Sequence, residues 1–261
     1  MSDEERSAEE RLAEGTLISH LVELRQRLLK CVIAVALVFA PCGWFANDLF
    51  TIIATPLIAK MPAGSSMIAT SLISPFTAPL KLSFFVALFI AMPYVLYQVW
   101  AFVAPGLYKR EKRFAIPLVV SSIVLFYAGV AFAYFVVFPL MFAFLTTTAP
   151  TGVQVMTDIT NYLDFVLLLF FAFGVAFEMP VAIVLLAATG MVKIETMTKN
   201  RGYVILGIFV IAAILTPPDA LSQTAMALPM WLLYEVGIVM SRILLREKLA
   251  QQRREEQSAS S

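Results

Sequence analysis

Residues 109–145 read KREKRFAIPLVVSSIVLFYAGVAFAYFVVFPLMFAFL. Lys109, Arg110, Lys112 and Arg113 surround Glu111, and from Phe114 to Leu145 no charged residue follows. As a helix that run measures ~45 Å at about 1.5 Å per residue, more than the ~30 Å hydrocarbon core of a bilayer. It must cross the membrane with a tilt, a bend or a projecting end, and Pro139 offers a place to bend. The basic cluster marks the side on which the crossing begins.

The same alternation continues outward in both directions. The chain has 261 residues, 60% of them hydrophobic, with apolar segments at about 30–46, 82–104, 114–145, 162–192, 203–215 and 220–241. The runs are continuous rather than alternating, which excludes a β-barrel. Of 19 lysines and arginines, only Lys60 and Lys81 escape the pattern. The others flank the first and last segments or fall within 105–113 and 193–202. By the positive-inside rule both termini and these two loops are cytoplasmic. The first residues are acidic and polar and no small-residue cleavage site follows the first apolar run, so no signal peptide is expected. The expected fold is an all-α polytopic membrane protein of six transmembrane helices, one domain over 16–245. Residues 1–15 are expected as a disordered tail and 246–261 as a charged one. There is no fixed-period repeat, and the two halves do not mirror each other.

Residues 16–29, TLISHLVELRQRLL, are amphipathic. Leu17, Leu21, Leu24 and Leu28 form the apolar stripe, with His20, Glu23 and Arg27 on another face. This segment should lie at the cytoplasmic interface and run into the first span. The connection over 47–80 holds Pro56, Pro62, Pro75 and Pro79 but is too apolar for a linker, which suggests an ordered cap on the outer side. Pro105-Gly106 stops the second span. The fifth span, Tyr203 to Leu215, reaches only ~20 Å as a helix and ends at Thr216-Pro217-Pro218-Asp219. Gln223, Thr224, Pro229 and Glu235 interrupt the sixth. The last two helices thus form a short hairpin beside long neighbours. Unequal helices form a concave wall rather than a closed bundle, and the mismatch thins the adjacent bilayer. Cys31 and Cys42 are ~16 Å apart along one helix and cannot pair with each other.

Phosphate-loop, zinc-protease and serine-hydrolase motifs are missing, and the one histidine, His20, lies outside the spans. No enzyme, metal site or cofactor is expected, and any energy input must come from a partner or the membrane potential. Glu178, deep in the fourth span beside Pro180, is the sharpest signal, because an ionisable group there must face protein or water. It is either a functional acid on the concave side or a structural carboxyl bonded to a neighbouring helix. Asp219 suits an N-cap of the last helix. Gln223 and Thr224 bond either the fifth span or a partner helix, and Glu235 pairs with Arg242. Glu111 and Glu23 read locally as a neutralised surface acid and as half of an i,i+4 pair with Arg27. Both, however, sit where a basic ligand would find them. A secondary transporter or channel with Glu178 as its ion site is the main alternative, disfavoured by the missing inverted repeat. An intramembrane enzyme or a purely structural scaffold follow behind it.

Five motifs in register carry a resemblance. They are His20-Leu21-Val22-Glu23-Leu24-Arg25-Gln26-Arg27-Leu28, Ser74-Pro75-Phe76, Phe102-Val103-Ala104-Pro105-Gly106-Leu107 with Glu111 and Lys112, Phe177-Glu178-Met179-Pro180, and Leu215-Thr216-Pro217-Pro218-Asp219. With them the chain, apart from its tails, resembles the TatC family, the multispanning core subunit of the twin-arginine protein translocase. The resemblance implies a bacterial inner-membrane receptor for signal peptides bearing two adjacent arginines. It implies folded cargo, transport driven by the proton-motive force, and single-span TatA- and TatB-like partners besides other copies of itself and membrane lipid. Nucleic acid is not expected. Carried over, Glu23 and Glu111 are the arginine-binding acids, with Arg25, Phe102 and Lys109 in the same region. Glu178 is the groove acid, and Gln223, with Thr224 and Glu235, is the partner-helix contact. A guanidinium forks onto a carboxylate in a way lysine cannot reproduce, and two arginines need two separate acceptors.

Overall fold

The computed structural model describes residues 3–58, 66–103, 112–141, 156–216 and 220–259. Helix α1 runs unbroken from Asp3 to Trp44, so the amphipathic segment and the first span are one rod. Its start lies inside the stretch expected as a tail, where Glu, Arg and Ala favour helix. After it come α2 (Ala46–Ile58) and β1 (Ser66–Ile68), the described parts of the expected cap. The second span is α3 (Ser74–Val103).

The third span begins as α4 (Lys112–Phe132) and passes through a π-helical turn over Ala133–Val137, the apolar helix reaching Met141. In that turn the Phe138 N–H donates to the carbonyl of Ala133, five residues back. Pro139 follows with no N–H of its own. The bend expected at Pro139 is thus a widened turn just before it.

β2 (Met156–Asp158) pairs in parallel with β1, Ser66 opposite Met156 and Ile68 opposite Asp158. Three-residue strands leave too short a pattern to read from sequence. The fourth span comes in two pieces, α5 (Ile159–Ala176) and α6 (Met179–Ala188). Then follow α7 (Ile194–Lys199), α8 (Arg201–Leu215) and α9 (Ala220–Ala259). Helix α9 likewise extends into the expected tail.

Five apolar spans of 27, 30, 26, 30 and 22 residues are long enough to cross a membrane, and α8 adds a shorter sixth of 15. The last two are therefore the shortest, but the marked shortness belongs to α8. Helix α3 packs against α1 and α2 and also against α4 and α5; α9 packs on α6 and α8. Leu82, Phe138, Met141, Leu163, Val166, Phe173 and Met226 fill the core between these helices. In lipid, hiding apolar surface contributes little, so association depends on how closely backbones approach. Two glycines set that approach between α4 and α5. A Cβ on Gly129 would lie 2.5 Å from the Phe173 carbonyl oxygen, and one on Gly174 would lie 2.6 Å from Cε2 of Phe126.

At the start of the fourth span, Asp158 ties the strand pair to that span. It caps α5 by accepting from the N–H groups of Thr160 (2.9 Å) and Asn161 (3.1 Å). It also accepts from the Thr70 hydroxyl and, at 2.9 Å, from the Thr70 N–H. The Thr70 bonds first, then the cap, hold its carboxyl at about 2, below the usual carboxylate range.

Candidate functional site

At the N-terminal half of α1, Glu23 and Arg27 stand four residues apart with the acid first, the favourable order on a helix. Arg27 donates from Nε (2.9 Å) and Nη2 (2.6 Å) to the same oxygen, Oε1 of Glu23. Its Nη1 donates to Oε1 of Gln98 on α3 at 3.1 Å. Gln98 is buried, whereas the ion pair keeps part of its surface open. One turn earlier, the His20 ring stacks on Phe102 with centroids 4.3 Å apart and planes 19° from parallel. The Glu23–Arg27 pair and the His20–Phe102 stack thus lie one turn apart along α1, each reaching α3, and Arg25 is exposed on the same helix. Lys109 and Glu111 lie outside the described residues, in the connection between Val103 and Lys112.

Glu178 occupies the step between α5 and α6. Phe177 and Glu178 keep helical dihedrals, but Pro180 cannot donate to the carbonyl of Ala176, and the ladder breaks there. The side chain is 8% exposed, so it is buried among helices rather than open to water on a concave side. The Ser122 hydroxyl donates to its Oε2 and itself accepts from Nε1 of Trp100 at 2.7 Å. Oε1 of Glu178 has no partner among the described residues. A carboxyl at this depth requires such donors, and a relay of indole, hydroxyl and carboxyl links α3, α4 and the fourth span.

Helix α3 serves both sites through alternate residues. Gln98 and Phe102, four apart, face α1, while Trp100 between them points the other way, to Ser122. Sequence reasoning missed Gln98, Trp100 and Ser122. Their signal was a polar group inside an apolar span, which identifies a candidate without naming its partner.

Around α8 and α9 the expectations divide. Nε2 of Gln223 donates to the Phe209 carbonyl at 2.9 Å, so it bonds the fifth span. Thr224 donates back to Ala220 of its own helix at 2.6 Å. These two and Glu178 therefore do not await one shared partner, since each already has a bond within the chain. Glu235 pairs with Arg201 at 2.7 Å and not with Arg242, which donates to Oγ1 of Thr198. Arg201 opens the neighbouring α8 and faces the side of α9 on which Glu235 lies, a relation that linear proximity hides. Pro217, Pro218 and Asp219 fall outside the described residues.

Comparison with known proteins places this geometry. A family model described as Sec-independent protein translocase protein (TatC) matches residues 19–229. The Sec-independent protein translocase protein TatC of Azotobacter chroococcum mcd 1 is 57% identical over 235 residues, covering 90% of this chain and 92% of that one. Its counterpart from Escherichia coli (strain K12) is 57% identical over 226 residues, 87% and 88% of the two chains. A crystal structure described as the twin arginine translocase receptor TatC superposes with a TM-score of 0.76 at 39% identity, over 86% of this chain and 98% of that one. The family model spans both the Glu23 cluster and Glu178, and the chain belongs to the TatC family of Sec-independent protein translocase proteins.

Proposed function

We propose that this multi-pass membrane protein is the signal-peptide receptor and core subunit of a twin-arginine translocase, with both termini and the basic loops in the cytoplasm. The observation that carries the reading is the partly exposed Glu23 carboxylate, held by an Arg27 that is itself bonded to Gln98 of α3, one turn from the His20–Phe102 stack. The loop that carries Lys109 and Glu111 leaves α3 one residue beyond Phe102. Glu23 and Glu111 supply two separated acceptors for two guanidinium groups. Single-span TatA- and TatB-like subunits dock along α8 and α9, where Gln223, Thr224 and Glu235 border the short span. Folded cargo passes at the expense of the proton-motive force in an assembly containing further copies of the chain.

The test is binding of a twin-arginine signal peptide to purified protein in detergent. Glu23→Ala and Glu111→Ala should each cost roughly 1.5–3 kcal/mol while leaving the protein assembled. Equal affinity for arginine and lysine versions of the peptide would sink the reading. Orientation is checked by impermeant labelling of introduced cysteines, which should reach residues 60–70 from outside and miss 109–113; the reverse pattern rejects it.

A further inference from the structure

We propose that the imidazole of His20, backed by Phe102, is a stacking platform for a planar guanidinium of the incoming signal peptide, and that it adds to the choice of arginine over lysine. The inference deepens the receptor reading, on which it rests, and requires no change at the Glu23–Arg27 pair.

His20 is the only histidine of the chain. Its ring lies nearly parallel to that of Phe102, with 4.3 Å between centroids and 19° between planes. Phe102 is half-buried near the end of α3, whereas His20 is exposed on α1, so the outer ring of the pair is the imidazole. One face of that ring is taken by Phe102, and the other is turned away from it. Among the described residues neither ring nitrogen has a hydrogen-bond partner, so the stack alone sets the plane of the imidazole. A ring already held in one plane loses little freedom when a second planar group is laid on it. A guanidinium is planar, delocalised and weakly hydrated, and it stacks on aromatic faces. A lysine ammonium is a compact, strongly hydrated charge that cannot lie flat. Glu23 stands three residues on along α1, where helix geometry puts Cβ atoms about 5–6 Å apart. A peptide drawn to this end of α1 therefore has the imidazole within side-chain reach.

The test uses the full-length protein in detergent, made without a histidine tag so that His20 gives the only imidazole signals. Isotope-labelled histidine is followed by NMR while arginine and lysine versions of one signal peptide are added. The arginine peptide should move the His20 ring signals along its binding curve, and the lysine peptide at equal saturation should move them less. Affinities are then compared in His20→Ala, His20→Leu and His20→Phe. Alanine and leucine should weaken the arginine peptide about two- to fivefold, the range of an exposed cation–π contact, and the lysine peptide less, so the ratio narrows. His20→Phe keeps a ring face and should restore the ratio, whereas leucine keeps only an apolar contact with Phe102. Ring signals that stay still at saturation with the arginine peptide overturn the proposal, even if no variant folds. So does equal weakening of both peptides by alanine and leucine, which would make the stack only a tie between α1 and α3. If the wild type shows no preference for arginine and no dependence on Glu23, the receptor reading itself fails and the proposal with it. A wild-type preference that His20→Ala and His20→Leu leave unchanged removes the stacking platform alone.

Discussion

Helix α1 and the span made by α5 and α6 have similar apolar lengths, 27 and 30 residues, yet they are held by opposite means. No residue in the most apolar stretch of α1 is fully buried by protein, whereas 61% of those in that of α5–α6 are. Each carries one acid that matters. Glu23 sits in an ion pair that retains open surface, and Glu178 sits beneath neighbouring helices with a serine and a tryptophan behind it. The difference separates two tasks for the same side chain. An acid on a lipid-facing rod can exchange partners at small cost. An acid in the packed span can change partners only if the packing changes.

The largest test of this contrast is steric. Gly129→Val and Gly174→Val should destabilise the protein by about 3 kcal/mol, or prevent folding, because each new Cβ meets an atom of the facing helix well inside contact distance. In α1, Gly43→Ala meets only Phe39 at 3.6 Å and should be neutral or stabilising by up to ~1 kcal/mol through helix propensity. Thermal unfolding in detergent, followed by fluorescence, decides between equal and unequal responses. Equal losses at the three positions would erase the distinction.

A second test exchanges the acids. Glu178→Ala should lower stability by roughly 1–3 kcal/mol, since it leaves the buried Ser122 hydroxyl without its acceptor. Trp100→Phe, which removes one interhelical donor, should cost about 0.6–1.7 kcal/mol. Glu23→Ala should change stability by under ~1 kcal/mol, as partly exposed ion pairs do, while still weakening peptide binding by roughly 1.5–3 kcal/mol. A stability loss at Glu23 matching that at Glu178 would show α1 to be part of the packed body.

The smallest effect concerns acid. The Asp158 carboxyl is held at about 2 against an ordinary 3.8. Its contribution to stability is therefore complete above the ordinary carboxylate range and is lost as pH falls through about 2. Unfolding midpoints measured between neutral pH and about pH 2 should fall at the acid end, and Asp158→Asn should flatten that fall. Because Asp158 caps α5, the acid sensitivity belongs to the fourth span and its strand pair. An undiminished slope in the variant would assign it elsewhere.

What the residues disclose in advance follows the reach of each force. Charge sorting about the membrane acts on single loops, so Lys109 to Arg113 give an expected side of the bilayer without reference to any other part of the chain. The cost of an acid in hydrocarbon likewise singles out Glu178 on local grounds. The Ser122 hydroxyl and Trp100 indole that receive it come from two other helices, and only their relative rotation joins them. Gly129 and Gly174 look like any glycines in apolar spans until the facing atoms of Phe173 and Phe126 are seen. Glu235 was misassigned to Arg242 for a similar reason: Arg201 reaches it from a different helix, 34 residues back in the chain. Short strands such as Ser66–Ile68 exist only because a second connection lies alongside, and neither carries a period of its own.

The alternation on α3 has a mechanical consequence. Gln98 and Phe102 engage one neighbour while Trp100 engages the other, within five residues of a stiff rod. An axial turn or a one-residue slip there withdraws contacts from both flanks in a single movement. A rotation of α3 about its axis would load the Gln98 bond to Arg27 and the Trp100 bond to Ser122 together, without any side chain passing between the two acids.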